Sequence, residues 1–142
     1  MIKYYRYLKD FKFYPNPNEI IYQKNLDELK LKVAIDEFQK ELDWDEMWNV
    51  DDAQQRLNDG WCWTTLEIDN KLKGWFWLDY ETKEGKNLYV HKDYRDKGYG
   101  LKLINSIITA GRLRNFEYIW SQVDEWNNKS KRLFERSGYV IE

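Results

Sequence analysis

The stretch Arg95-Asp96-Lys97-Gly98-Tyr99-Gly100 decides how this chain folds. It follows a short strand-like segment, residues 87–90, and it opens a segment with the apolar spacing of an amphipathic helix. The first turn of a helix has free main-chain N–H groups and the positive end of the helix dipole. Gly98 and Gly100 let a bulky anion approach and permit a positive φ, while Arg95 adds a fixed charge. A strand, a glycine turn and a helix start in this order predict a binding site for a pyrophosphate group.

Length and composition indicate one domain over residues 1–142, without a linker or an internal repeat. The formal net charge of -2 lacks the basic footprint of a nucleic-acid-binding protein. Cys62 is the single cysteine, which excludes an intrachain disulfide, and no apolar run approaches the roughly 18 residues of a membrane span. No apolar signal segment stands at the N-terminus. The sequence therefore predicts a cytoplasmic protein without a nucleic-acid or membrane partner.

Hydrophobic periodicity predicts the order β, β, α, α, β, β, β, α, β, α, β. The predicted strands cover residues 2–14, 19–23, 61–68, 72–81, 86–90, 118–123 and 139–141, and the helices cover 26–42, 51–58, 98–112 and 128–136. Turns at 69–71 and 83–85 make three consecutive strands antiparallel, and helix 98–112 crosses over to a parallel strand at 118–123. The fold class is α/β in the α+β sense, a mixed sheet with helices packed on it.

Two common pyrophosphate motifs do not fit this sequence. A dinucleotide fold places Gly-x-Gly-x-x-Gly after its first strand, whereas the glycines here follow three antiparallel strands and a third glycine is missing. A Walker loop is also absent. The string Leu-Tyr-Val-His-Lys-Asp-Tyr-Arg-Asp-Lys-Gly-Tyr-Gly over 88–100 instead resembles the acetyl-CoA loop of the GNAT superfamily of N-acetyltransferases. A second block similar to that family follows at Asn127, Ser130, Leu133-Phe134 and Gly138-Tyr139.

The resemblance implies a mostly antiparallel central sheet with helices on both faces and a splayed strand pair that admits acetyl-CoA. Main-chain groups of 88–90 would pair with the pantetheine arm, and amides of 96–101 would cradle the pyrophosphate. Asn127 would bond the cofactor near its amides, with Ser130 beneath the arm. The cofactor-binding positions implied are Leu88, Tyr89, Val90, Arg95, Asp96, Lys97, Gly98, Tyr99, Gly100, Leu101, Asn127, Ser130 and Phe134. No metal is expected.

The reaction implied is direct transfer of an acetyl group to the amine of a small molecule or peptide. An alkyl ammonium, with a pKa of about 10.4, must first lose a proton to a base. We consider Asp124 first, at the end of strand 118–123, then Glu84 in the predicted turn, and Asp79 across the hairpin from Tyr89. Two family positions for catalytic side chains are Gln122 and Phe134 here, neither of which carries a usable proton site. A module that binds acyl-CoA without chemistry is therefore the alternative.

The ends of the chain and the acceptor side leave alternatives open. The family pattern continues with a hairpin, whereas only three residues follow Tyr139. The last strand is therefore missing, supplied by a homodimer partner, or replaced by the extra N-terminal segment 2–14; the last two are favoured, because an uncovered apolar edge invites aggregation. The acceptor is set within 26–81, where no motif occurs. Segment 44–48 forms either a cation-binding aromatic cage or a core cluster at a helix end.

Overall fold

A computed structural model describes residues 1–13, 15–41 and 48–142. The predicted order of strands and helices is confirmed. The elements are β1 Ile2–Tyr7, β2 Ile20–Gln23, α1 Glu28–Glu41, α2 Val50–Asn58, β3 Cys62–Ile68, β4 Lys71–Leu78, β5 Gly85–Val90, a 3-10 turn Lys92–Tyr94, α3 Tyr99–Leu113, β6 Tyr118–Val123, α4 Asn128–Arg136 and β7 Val140–Ile141. Parts of three predicted segments lie outside the described residues. They are Tyr14 at the end of the first predicted strand, residue 42 at the end of the first predicted helix, and residues 44–47 of the stretch predicted as irregular or helical.

Two predicted strands are too long. β1 stops at Tyr7: the N–H of Leu8 still donates to Glu117 O at 2.9 Å, and a turn follows in which Phe11 N donates to Leu8 O at 3.1 Å. β4 stops at Leu78, because Asp79 N donates to Glu84 O at 2.9 Å and Lys83 N donates to Asp79 O at 2.8 Å. These two bonds close a loop over 79–84, so the turn lies earlier in the chain than predicted.

The strands form two antiparallel sheets whose facing edges are β5 and β6. One sheet has the order β2-β3-β4-β5 and the other has the order β6-β1-β7. The two edges run parallel and share a single bridge, between Glu84 and Trp120. Beyond that bridge the strands are unpaired, which confirms the predicted splayed pair.

The N-terminal strand β1 lies between β6 and β7. Its register with β6 runs from Ile2 opposite Val123 to Tyr7 opposite Tyr118, over the whole length of both strands. β7 adds to the other edge of β1, with Ile141 opposite Tyr4. In this structure the N-terminal segment therefore forms the strand next to β6.

Helices cover both faces of the four-stranded sheet, as predicted. Side chains alternate along β4, so that Trp75 and Trp77 point to one face and Phe76 to the other. Trp75 and Trp77 pack with α1 and α2 in one core, and Phe76 packs with α3 and α4 in a second core. Among the described residues, no helix has both the length and the apolar character needed to cross a membrane.

Candidate active site

The cleft between β5 and β6 is closed at one end by hydrogen bonds. Trp120 N donates to Lys83 O at 3.1 Å, and the buried Ser121 Oγ donates to Gly85 O at 3.0 Å. A Cβ at Gly85 would lie 2.8 Å from Ser121 Oγ, so this close contact requires glycine. From this end the strands diverge toward the start of α3, and the cleft opens in the same direction.

A bulge in β5 faces this cleft. Tyr89 lies opposite Trp75 and Lys86 opposite Trp77, so two residues of β5 stand against Phe76 alone. Asn87, one of the two, has φ of 63°. A bulge leaves main-chain groups outside the ladder and changes the direction in which they point. As an edge strand, β5 leaves the main-chain groups of its outer side outside the sheet, and its bulge lies beside the closed end of the cleft.

A cavity of about 500 Å³ lies between α2 and the junction of β5 with β6. Its wall includes the carboxylates of Asp52 and Glu84 and the cations Arg56 and Lys86. Asn87 of the bulge and Gln122 of β6 complete the polar part of the wall. The cavity therefore meets the cleft at the bulge, where charged groups of both signs are available.

Glu84 belongs to this cavity wall, contrary to the prediction that it lies in a remote turn. It follows the loop 79–84 and its side chain is 11% exposed. Its Oε2 accepts from Gln122 Nε2 at 3.3 Å, and its Oε1 lies 3.5 Å from Lys86 Nζ. The carboxylate is thus held at the closed end of the cleft by partners on both strands.

The other two carboxylates lie elsewhere. Asp79 is buried in the β4–β5 loop, where its Oδ1 accepts from Glu81 N at 2.9 Å. The prediction that Asp79 lies opposite Tyr89 is wrong, because the loop over 79–84 sets a register with Leu78 opposite Gly85 and Trp75 opposite Tyr89. Asp124 follows β6 outside the cavity wall, and its carbonyl accepts from Asn127 N at 3.0 Å. The structure therefore brings Glu84, and neither Asp79 nor Asp124, to the cavity.

The loop before α3 has the main-chain geometry of an anion site. Asp96 has φ of 60° and Gly98, the N-cap, has φ of 85°. No side chain caps this helix start, and Lys102 N, which bonds Gly98 O at 3.2 Å, donates the first main-chain bond. The N–H groups of residues 99–101 therefore stay free of main-chain partners within the described residues.

The two glycines of the loop have different surroundings. A Cβ at Gly98 would meet no atom within 4 Å, so the space in front of the helix start is open. A Cβ at Gly100 would lie 2.9 Å from Leu133 Cδ2 of α4. Gly98 therefore keeps the anion site accessible, whereas Gly100 allows α3 and α4 to approach each other.

The Arg95 side chain is already engaged within the protein. Its Nε donates to Val90 O at 2.8 Å, and its guanidinium forms an ion pair with Glu41 of α1. Tyr89 donates its hydroxyl to the same carboxylate at 2.6 Å. Burial, together with this hydrogen bond to Glu41, raises the pKa of Tyr89 above its ordinary value. Arg95 thus ties the loop to α1, and Val90 O is occupied by this contact.

The second sequence block begins α4. Asn127 is its N-cap, and its Oδ1 accepts from Ser130 N at 3.1 Å. Lys129 Nζ lies 3.2 Å from Asp96 Oδ1, which joins α4 to the loop before α3 at the surface. Phe134 is buried, with its ring centroid 4.9 Å from that of Tyr139 and 6.2 Å from that of Tyr4. Phe134 is therefore a core residue in this structure.

This combination of a cleft between diverging strands, a free helix start and a cavity with a held carboxylate defines an acyl-transfer class of protein. The model of the acetyltransferase (GNAT) family matches residues 23–139. The chain therefore belongs to the GNAT acetyltransferase family. A search of curated proteins found no match.

Solved structures share the fold at low identity. An aminoglycoside acetyltransferase from an uncultured soil metagenomic sample is 19% identical over 84% of this chain and 88% of its own, with a TM-score of 0.66. An acetyltransferase of Trypanosoma brucei is 17% identical over 87% and 93%, with a TM-score of 0.67. AAC(6')-Iy, solved with the bisubstrate analogue CoA-S-monomethyl-acetylneamine, is 16% identical over 85% and 89%, with a TM-score of 0.63.

Proposed function

We propose that this protein is an acetyl-CoA-dependent N-acetyltransferase that moves the acetyl group directly to the amine of a small molecule or peptide. One observation carries the proposal: β5 and β6 separate beyond the bridge between Glu84 and Trp120, the cavity that Glu84 lines lies at that bridge, and the free N–H groups of α3 follow β5. Membership of the GNAT acetyltransferase family supports the same reaction.

The cleft residues fit the coenzyme. The free N–H groups of 99–101 and the open space at Gly98 suit a pyrophosphate, which the positive end of the α3 dipole also attracts. The free edge of β5 over 88–90, apart from Val90 O, which Arg95 already binds, offers main-chain groups to the pantetheine arm, and Asn127 and Ser130 at the start of α4 are its proposed further partners. When bound there, acetyl-CoA supplies an activated acetyl group.

Glu84 is the proposed general base. Its carboxylate lies in the cavity where an amine would enter, and Gln122 and Lys86 hold it in place. A carboxylate so placed takes a proton from the ammonium directly or through one water. N–H groups released by the bulge at Asn87 are placed to stabilise negative charge that develops at the acyl oxygen. Phe134 donates no proton, and a thiol with a pKa of about 8.5 leaves with little assistance.

The test compares two carboxylates in a thiol-release assay with acetyl-CoA and a broad amine panel. We expect Glu84→Gln to lower kcat/KM by about 10²- to 10⁴-fold, the usual contribution of a general base. Acetyl-CoA affinity, measured by calorimetry, should stay unchanged, because Glu84 lies at the acceptor end of the cleft. Asp124→Asn should have little effect on either quantity.

Two results would contradict this proposal. A Glu84→Gln variant with full activity would remove Glu84 from the mechanism, and a strong effect of Asp124→Asn would assign the base to β6. Tight acetyl-CoA binding without thiol release across the whole panel would instead support the acyl-CoA-binding module.

A further inference from the structure

We infer that the cavity between α2 and the β5–β6 junction takes an acceptor of the α-amino acid class, whose carboxylate is bound by Arg56. The inference rests on the proposed acetyltransferase function and adds the class of acceptor. It is carried by the surroundings of Arg56 and by the position of Glu84 in the same cavity wall.

Arg56 is held in a fixed position by aromatic rings. It extends from α2, and its guanidinium carbon lies 4.6 Å from the ring centroid of Trp61 and 5.2 Å from that of Trp77. Trp48 adds a third ring at 6.0 Å. Flat contact with aromatic faces suits a guanidinium and restricts its motion, so less entropy is lost when it binds a ligand.

Most donors of Arg56 have no partner within the described residues. A guanidinium has five N–H donors. One hydrogen bond joins Nη1 of Arg56 to Asn87 Oδ1 at 2.9 Å. None of the ion pairs among the described residues includes Arg56. Burial lowers the pKa of Arg56, and the more distant charges of Asp52 and Asp79 offset only part of this effect. Such a group is prepared to bind a planar anion with two parallel hydrogen bonds.

The carboxylate of Asp52 attracts Arg56 through space, but the two side chains, which both line the cavity, form no ion pair within 4 Å among the described residues. Asp52 Oδ2 accepts from Asn49 N at 2.8 Å, and Asn49 Oδ1 accepts from Asp52 N at 2.9 Å. These bonds form a capping box that starts α2. Asp52 Oδ2 is therefore bonded to the start of its own helix, and the Arg56 donors that are not bonded to Asn87 remain available to a ligand.

The position of Arg56 would place the carboxylate of the acceptor in the same cavity as its reacting amine. Arg56 bonds Asn87, the bulge residue at the point where cavity and cleft meet. Glu84 lies in the same wall and receives the ammonium. A guanidinium and a carboxylate in one wall match the adjacent carboxylate and amine of an α-amino acid. The cavity of about 500 Å³ also leaves room for a side chain.

A polycation fits this wall poorly. An acceptor with several ammonium groups requires several uncommitted carboxylates, because each buried charge needs a partner. Within the described wall, the carboxylates of Asp52 and Glu84 face the cations Arg56 and Lys86, so the wall has no excess negative charge, and the two cations would repel additional ammonium groups. We therefore expect aminoglycosides to be poor acceptors for this chain.

The experiment uses the full chain, acetyl-CoA and matched acceptor pairs. Each standard L-amino acid is compared with its carboxamide, which keeps the amine and side chain but removes the negative charge. Sisomicin represents the polycations. We expect thiol release and an acetylated product with at least one free amino acid, and kcat/KM about tenfold to hundredfold lower for its carboxamide.

Variants connect this preference to Arg56. Arg56→Gln should lower kcat/KM for the free amino acid far more than for its carboxamide, so that the ratio of the two values falls to about one. Arg136→Gln, at an exposed arginine of α4, is the matched control and should preserve the preference. Asn87→Asp is a second test that retains Arg56 and its packing, because the new carboxylate should occupy the guanidinium and suppress the free amino acid selectively.

Several outcomes would overturn the inference while the proposed function stands. These are equal rates for acids and carboxamides, preferred acetylation of sisomicin, or an unchanged preference in both Arg56→Gln and Asn87→Asp. Each of them still includes thiol release. By contrast, acetyl-CoA binding without turnover of any acceptor would refute the proposed function, and the inference would fail with it.

Discussion

At the scale of single residues, the two glycines that define the loop have separable effects. Gly98 has a left-handed backbone and open space in front of it, whereas Gly100 lies against Leu133. A side chain at 98 would stand in front of the free N–H groups of α3. A side chain at 100 would instead push α4 away from α3. Binding and stability should therefore respond differently to the two substitutions.

We predict that Gly98→Leu weakens acetyl-CoA binding by at least about tenfold and destabilises the fold by roughly 1–2 kcal/mol, the cost of a left-handed conformation. Gly60→Leu is the matched control, since Gly60 also has φ of 85° and no atom within 4 Å of its Cβ position. Calorimetry and urea unfolding measure the two quantities. The control should lose similar stability but keep its affinity; equal affinity in both variants would contradict the assigned anion site.

Gly100→Leu should give a different result. Overpacking against Leu133 costs typically about 1–3 kcal/mol, so unfolding should occur at lower urea than in the parent chain. The loss should be partly recovered by Leu133→Ala in the same chain, because the smaller side chain provides the missing space. If Leu133→Ala does not recover stability, the contact with Leu133 is not what restricts the size of the side chain at position 100.

At the scale of secondary-structure elements, α1 holds the anion loop through a set of charged contacts. Glu41 binds both Arg95 and Tyr89. One turn earlier, Glu37 Oε2 lies 3.2 Å from His91 Nε2 and 3.0 Å from Lys73 Nζ. The loop between β5 and α3 is thus attached to α1 at both of its ends. We propose that Arg95 is a positioning residue for the coenzyme rather than a direct partner of its phosphates.

A double-mutant cycle tests this role of Arg95. Arg95→Met and Glu41→Gln should each raise the Kd for acetyl-CoA, with kcat little changed, because both release the loop from α1. The double variant should be scarcely worse than either single variant, with a coupling free energy of about 0.5–3 kcal/mol. Independent, additive losses would instead indicate that Arg95 contacts the phosphates directly.

The sequence predicts the helices and strands well, but it predicts poorly which residues the side chains of the site contact in the folded protein. Local signals, such as the strand-forming residues around Trp75 and the glycine turn before α3, depend on neighbouring residues, and the strand and the turn are confirmed. The Glu84 position was wrong because the loop is closed by Asp79, five residues earlier, and not by a tight turn at 83–85. The Arg95 contact with Glu41 depends on how α1 packs against β5, which no local pattern encodes. Tertiary packing thus decides the roles within the site.

At the scale of the whole molecule, the two sheets meet edge to edge, and their edge strands β5 and β6 are joined at one end by the bridge between Glu84 and Trp120. The second sheet depends on β1, because β6 and β7 are both paired with β1 and not with each other. β1 and β6 are far apart in the chain, so their pairing closes a long loop. The chain entropy of that closure is lost before the contacts between the two strands stabilise the fold. The cleft wall formed by β6 therefore requires the N-terminal strand.

Side chains on the two faces of β1 should report this dependence. Tyr4 is 1% exposed, packs on Phe134 and donates its hydroxyl to Glu135 Oε1 at 3.2 Å, whereas Tyr7 is 43% exposed. We predict that Tyr4→Ala lowers the free energy of unfolding by about 3–5 kcal/mol and that Tyr7→Ala lowers it by about 1 kcal/mol or less. Urea unfolding followed by circular dichroism measures both. If the two variants unfold at the same urea concentration, β1 does not belong to the cooperative core and β6 must be held by other contacts.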